Sequence, residues 1–307
     1  MKYFAMIGVA AAAIIAASGA HAANDKMVVN ICTGGAGKPY DLTGQYISGF
    51  LRDSKNVEMH VINTHGTWDN IQRTLETPAT PETIASGEAC QVMIGQPDGA
   101  VLLKRKNPGE ASHLRIIGQG PVEYLHVLCN KDSGVKDLSD IAGDNTKSVA
   151  LGANGSGAWL IWQNFINEDK SYAEVPTTTE EGAIALASVQ AGDTTCVLIP
   201  AALGNATVVQ ADTDFSDGIR LVGASDWDFN DAKNIDGKSL YTFKKIPSGT
   251  YPQNLQGWFS SKETVAWTAN IYVNTEYFVN NQKALEDLIV AIAKSKPAIK
   301  KAFGTLD

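Results

Sequence analysis

The sequence predicts an α/β protein of two similar lobes, and three observations carry that prediction. A strand runs through a glycine loop straight into a helix twice, over residues 27–51 and again over 148–166. Apolar runs of strand length alternate with helical patterns at the spacing of right-handed βαβ units, which implies a mostly parallel sheet. A helix end at Gly followed by a strand, Ile84 to Ile94, finds an echo in Leu186 to Ile199, as a repeated unit would produce.

Taken in order, Met27-Val28-Val29-Asn30-Ile31-Cys32 reads as a buried strand, and Thr33-Gly34-Gly35-Ala36-Gly37-Lys38-Pro39-Tyr40 as the loop before a helix over 42–51. A second strand covers 57–62, and Thr67 stands where it would cap the helix carrying Ile71 and Leu75. A helix over 82–86 ends at Gly87 before a strand over 91–95. Segments 114–118 and 123–129 read as two strands, and 135–141 as a short helix. The strand 148–151 enters Gly152-Ala153-Asn154-Gly155-Ser156-Gly157 and then a helix from Ala158. Beyond a strand at 219–223, the Asp-rich stretch 224–236 reads as a surface insertion; 265–267 and 269–273 look strand-like, and 285–295 is an amphipathic helix.

Residues 1–22 change the compartment. Lys2, an apolar run from Met6 to Ala17 and the small residues Ala20 and Ala22 form a secretory signal peptide with cleavage expected after Ala22. The apolar run is shorter than the roughly 20 residues that span a bilayer. An exported, periplasmic chain meets an oxidising environment, so Cys32, Cys90, Cys129 and Cys196 either form disulfides, in any of three pairings, or sit as small buried residues on strands. With 44% hydrophobic and 19% charged residues and a net charge of -8, the chain is an ordinary globular one, and the acidic excess argues against nucleic acid as a partner.

Two ligand-facing glycine loops suggest nucleotide chemistry, but their residues exclude it. A P-loop ending at Gly37-Lys38 needs Gly at 32 and Ser or Thr at 39, where Cys32 and Pro39 stand. Neither Gly35-Ala36-Gly37 nor Gly155-Ser156-Gly157 is completed by the third Gly of a dinucleotide fingerprint. A nucleophile elbow at Ser156 needs Gly at 154 and 158, which are Asn154 and Ala158. His60, His65, His113 and His126 offer no metal-ligand spacing, Asp98 and Glu123 have no fixed separation as an acid/base pair, and no cofactor or metal is expected.

Five motifs in order carry a resemblance: Thr33-Gly34-Gly35-Ala36-Gly37 with Tyr40; Thr64-His65-Gly66-Thr67-Trp68-Asp69-Asn70; Gln96-Pro97-Asp98; Gly152 with Gly155-Ser156-Gly157; and Ile246-Pro247-Ser248-Gly249-Thr250-Tyr251-Pro252. Together they resemble the TAXI family, the extracytoplasmic solute receptors of one class of TRAP transporters. The resemblance implies a type II periplasmic binding-protein fold in which two α/β lobes close on a small organic acid or amino acid. It also implies a TRAP permease as membrane partner and a monomeric receptor. By the same analogy lobe one is residues 23–124 plus 246–307 and lobe two 125–245. The same fold serving an ABC importer or a sensor is the alternative, with an exported enzyme behind it.

On this reading Thr33, Gly35, Lys38, Tyr40, Thr67, Trp68, Gln96 and Asp98 hold the solute from lobe one. Gly155, Ser156, Gly157 and Trp159 hold it from lobe two, the Ser156 and Gly157 amides and the Ser156 hydroxyl meeting an acceptor group. The chain departs from the family where Gly157 is followed by Ala158-Trp159 rather than Thr and a basic residue. That departure leaves Lys38 as the nearby cation. It makes Trp159 either a wall of the cleft or a packing partner of Trp162.

Overall fold

The structure, a computed structural model, describes residues 26–257 and 260–304. The signal peptide read over residues 1–22 lies outside them. Among the described residues no helix is long and apolar enough to cross a membrane.

Among the described residues ten strands form one continuous sheet: β1 (Met27–Cys32), β2 (Val57–Ile62), β3 (Val92–Gly95), β4 (Leu114–Asn130), β5 (Val149–Ala150), β6 (Thr177–Thr178), β7 (Cys196–Ala201), β8 (Ile219–Val222), β9 (Thr242–Ile246) and β10 (Lys262–Asn274). The order divides into two halves of identical pattern. The first runs β2-β1-β3-β10-β4, with β1 parallel to β2 and β3 and β10 antiparallel to β3 and β4. The second runs β6-β5-β7-β4-β8, with β5 parallel to β6 and β7 and β4 antiparallel to β7 and β8. This is the arrangement of the type II periplasmic binding-protein fold. The strands that echo each other in sequence, β3 and β7, occupy equivalent places.

The sheet is mixed rather than mostly parallel, because every pairing made by the two long strands is antiparallel. The segments expected as two strands at 114–118 and 123–129 are one 17-residue strand, β4. Gly120-Pro121 reads as a break, yet the ladder with β10 shifts register between Thr268 and Asn270, so Pro121 falls at an irregularity where its missing N–H leaves no ladder bond unmade. β10 likewise joins the two strand-like segments into one.

Six helices bear on the argument: α1 (Pro39–Leu51), α2 (Thr67–Ile71), α3 (Pro97–Lys106), α4 (Gly157–Glu168), α5 (Gly182–Ala191) and α6 (Gln282–Phe303). α1 buries Tyr40, Thr43, Gly44, Ile47 and Leu51, the i, i+3, i+4, i+7, i+11 stripe of an amphipathic helix. A Cβ on Gly44 would lie 2.8 Å from Thr33 Cγ2 and 3.1 Å from Val61 Cγ1, so the glycine lets α1 lie down on the tips of β1 and β2. α1 and α6 close one core around Val29, Ile31, Ile47, Leu288 and Ile292.

A second core gathers Ile161, Trp162 and Phe165 of α4 with Tyr172, Phe229, Tyr241 and Trp267. Phe229 belongs to the Asp-rich stretch expected as a surface insertion. It is fully buried with its ring stacked 3.6 Å from that of Phe165, so that stretch is an integral part of the core. A third core, around Leu186, Val197 and Leu221, also takes in Tyr251 and Leu255.

The cysteines resolve into two disulfides, Cys32–Cys90 in the first half and Cys129–Cys196 in the second. Cys129 and Cys196 are register partners across β4 and β7.

Candidate functional site

The loops at the strand ends are fixed by side-chain hydrogen bonds to one another's backbone. Asn70 donates from Nδ2 to the Thr33 carbonyl at 2.6 Å and the Ile94 carbonyl at 2.7 Å, which ties the tip of β1 to the tip of β3. The Asp41 carboxylate accepts from the Gly37 amide at 2.8 Å and from Asn63 Nδ2 at 2.9 Å, and so holds the first glycine loop. Thr33 is fully buried and its Oγ1 donates to the Ile62 carbonyl, while Gly35 is exposed; neither lines the pocket described below. Thr67 does not cap its helix. Gly66 occupies that position, and Thr67 Oγ1 accepts from the Gln96 amide at 3.0 Å, joining the turn after β2 to the turn after β3.

In the second half, Ser156 is the N-cap of α4. Its Oγ accepts from the Trp159 amide at 3.1 Å and donates to the Leu151 carbonyl at 2.6 Å, and its own amide donates to Ala153. These bonds take up the hydroxyl proton and the amide that were expected to meet a ligand. The Gly157 N–H, in contrast, is one of the donors that a helix start leaves unpaired. Gly155, at φ 88°, adopts a backbone conformation that side chains disfavour, and a Cβ there would lie 3.1 Å from Trp68 Cβ.

A pocket of about 240 Å³ opens between these two sets of loops. The first half lines it with Gly34, Lys38, Pro39, Tyr40, Gly66, Thr67 and Gln96, and the second with Gly157, Pro200, Ala201 and Asn205. Every one of these follows or ends β1, β2, β3, β5 or β7, at the carboxyl edge where open α/β sheets bind ligands. Glu123 completes the lining from β4, one residue before Tyr124, which pairs with both Ala266 and Ala201. The pocket therefore sits where the long strand leaves one half for the other.

Glu123 Oε2 accepts from the Tyr40 hydroxyl at 2.8 Å and from Nε1 of Trp267, its cross-strand neighbour, at 2.9 Å. Burial pushes its carboxyl up to about 7, against the pull of those two donors. The Tyr40 phenol is pushed well above its ordinary value by burial and by Glu123. Glu123 is absent from the expected site set because its partners lie 83 and 144 residues away. Its place at mid-strand, rather than in a loop, carries no motif.

Asp98 is fully buried behind this floor and does not line the pocket. Its Oδ1 accepts from Tyr241 and, at 2.9 Å, from Asn164, so it fastens α3 to α4. Burial holds its carboxyl above the usual range. Trp68 and Trp159 meet each other's neighbourhood at the rim: Lys106 Nζ lies 5.5 Å from the centre of the first ring and 5.6 Å from the second. Trp159 also packs against the core that contains Trp162, and it does not line the pocket. Trp68 lines a neighbouring recess with His65, Asn154, Gly155, Ser156 and Glu181.

The fifth motif buttresses the pocket from outside. Tyr251 hydroxyl donates to Nε2 of buried His126 at 2.7 Å and accepts from the Gly204 amide at 3.2 Å, which anchors the turn carrying Asn205. Among the described residues, no three His, Cys, Asp or Glu side chains converge on a metal-binding arrangement.

Residues 31–280 match the NMT1-like family. The chain belongs to that family. No curated protein sequence matches it. Among solved structures, a protein of Bordetella bronchiseptica RB50 is similar at a TM-score of 0.52 and 17% identity, over 91% of this chain and 76% of that one. A Xanthomonas citri protein solved with bound ATP is similar at 0.51 and 10% identity, over 90% and 88%. The periplasmic aliphatic sulphonate binding protein SsuA of Escherichia coli stands at 0.49 and 13% identity, over 90% and 74%. At these identities the likeness concerns the fold, and this NMT1-like chain's own residues must carry any reading of its ligand.

Proposed function

We propose that this protein is an extracytoplasmic receptor that captures a small organic solute, of the organic-acid or amino-acid class, and hands it unchanged to a TRAP-type permease. The observation that carries the reading is the pocket itself. It draws its lining from both halves of the sheet and holds one cation, Lys38, and one carboxyl, Glu123. A volume of about 240 Å³ suits a solute of some ten heavy atoms, below the range of drug-sized ligands. The Gly157 amide and the start of α4 favour an acceptor group from the second half, and Lys38 favours a carboxylate at the mouth.

The two lobes on this reading meet at the crossings of β4 and β10. On this reading the first crossing falls at 123–124, where the family resemblance puts it. We place the return at Trp267 to Ala269 rather than at Ile246, because Tyr251, Leu255 and Val265 pack in the second half whereas Ala269 and Ile271 pack in the first. Lys106 between Trp68 and Trp159 then serves as a latch across the closed cleft.

Mass spectrometry of material released from the denatured protein, followed by a thermal-shift series with the compound found, tests the reading. A receptor releases one small solute whose addition raises the melting temperature with concentration. Release of nothing, with no shift from organic or amino acids, or conversion of the solute on incubation, would overturn it. Deletion of an adjacent ABC permease, rather than a TRAP permease, abolishing uptake would reassign the partner.

A further inference from the structure

The floor of the pocket is built from acceptors. Gln96 is 3% exposed and lines the pocket beside Glu123, and its Oε1 has no hydrogen-bond partner. Glu123 is clamped by donors at Oε2 from two different elements, α1 and β10, so its carboxyl plane is fixed before any solute arrives. A buried acceptor without a donor is unfavourable, and a solute that supplies one gains that hydrogen bond.

We propose that Gln96 and Glu123 are the specificity-determining pair of the pocket, and that they select solutes presenting a hydrogen-bond donor, an ammonium or a hydroxyl, at the buried end. The inference rests on the receptor reading and adds the direction in which the solute lies. Its carboxylate faces Lys38 at the mouth, and its donor reaches the floor. An acid of the same length with a ketone or a methylene in place of the donor leaves Gln96 Oε1 unpaired and is rejected.

Protonation distinguishes the two kinds of donor. The titratable groups facing Glu123 are Tyr40 of α1 and Asp98 of α3, with Lys38 at the mouth. Tyr40 is held protonated, burial raises Asp98 as well, and Glu123, pushed up to about 7, changes state near neutrality. With its carboxyl at about 7, an ammonium binds about tenfold more weakly at pH 6 than at pH 8, whereas a hydroxyl, which either state can accept, shows less than a threefold change.

The test is calorimetric titration with two matched pairs, L-glutamate against 2-oxoglutarate and L-malate against succinate, and with the solute released from the purified protein against its analogue lacking the donor. Wild type is expected to prefer the donor-bearing member by at least tenfold. Glu123→Gln, which keeps an acceptor for Tyr40 and Trp267, is expected to lose the pH dependence for an ammonium, and Gln96→Met the preference itself. A released solute without a donor, or preferences unchanged in both variants, would overturn the assignment and leave the receptor reading standing. No solute released and no binding of any of the four acids would overturn both.

Discussion

His126 shows how burial alone couples one side chain to pH. It is fully buried beneath Tyr251, and burial lowers it from 6.5 to about 4. The unfolded chain takes up this proton as pH falls through about 6.5 and the folded chain only near 4, so stability falls across that window by roughly 3 kcal/mol from this residue. Glu123 acts in the opposite sense: the unfolded chain releases its proton near 4.5 and the folded chain near 7, so its ionisation removes stability as pH rises between the two. Urea denaturation over a pH series is expected to show Glu123→Gln gaining on wild type by up to about 3 kcal/mol between pH 4.5 and pH 8, the gain levelling off above 7. A flat difference would show that Glu123 is not desolvated. At this scale the sequence pointed to Lys38, Tyr40, Thr67, Gln96 and Gly157, which line one pocket, because each follows a strand inside a motif. It gave Glu123, which lies mid-strand, no motif, and it could not tell a capping serine from a ligand-binding one at Ser156, whose hydroxyl is used by Leu151 and Trp159.

At the scale of elements, the approach of α4 to the turn after β3 is set by the absence of one carbon. A Cβ on Gly157 would lie 2.9 Å from Gln96 Oε1 and 3.0 Å from Pro200 Cγ. Gly157→Ala is therefore expected to weaken solute binding at least tenfold with a smaller effect on the melting temperature of the solute-free protein, measured by titration and calorimetry on the same preparations. Lys106→Met removes the charge between Trp68 and Trp159, and is expected to cost about 0.5–1 kcal/mol of binding at that partly exposed rim, read as a faster off-rate. Strand and helix positions were largely legible from apolar runs and glycine punctuation. The unity of β4 was not, because Gly120-Pro121 signals a break locally and only its irregular pairing with β10 shows why the strand continues.

For the whole molecule, each half carries its own disulfide, closing loops of 58 and 67 residues. Replacing either pair by serine is expected to lower stability by about 2–4 kcal/mol in denaturant titration, and no cross-linking of one half to the other is lost. The sequence left the four cysteines as disulfides in any of three pairings or as small buried residues, because pairing depends on which strands lie side by side, and that is a property of topology. The doubled strand order was visible in sequence only as two glycine loops and a short echo, since β4 and β10 are shared between halves and belong to neither repeat. The claim on which everything else depends is that a solute is held between the halves. Hydrogen exchange read by mass spectrometry, with and without the released solute, tests it most directly. Protection is expected together at residues 34–40, 66–67 and 96 from one half and 157–159 and 200–205 from the other. Protection confined to one half, or found instead around Met27 and Asn281 at the far edge, would contradict it.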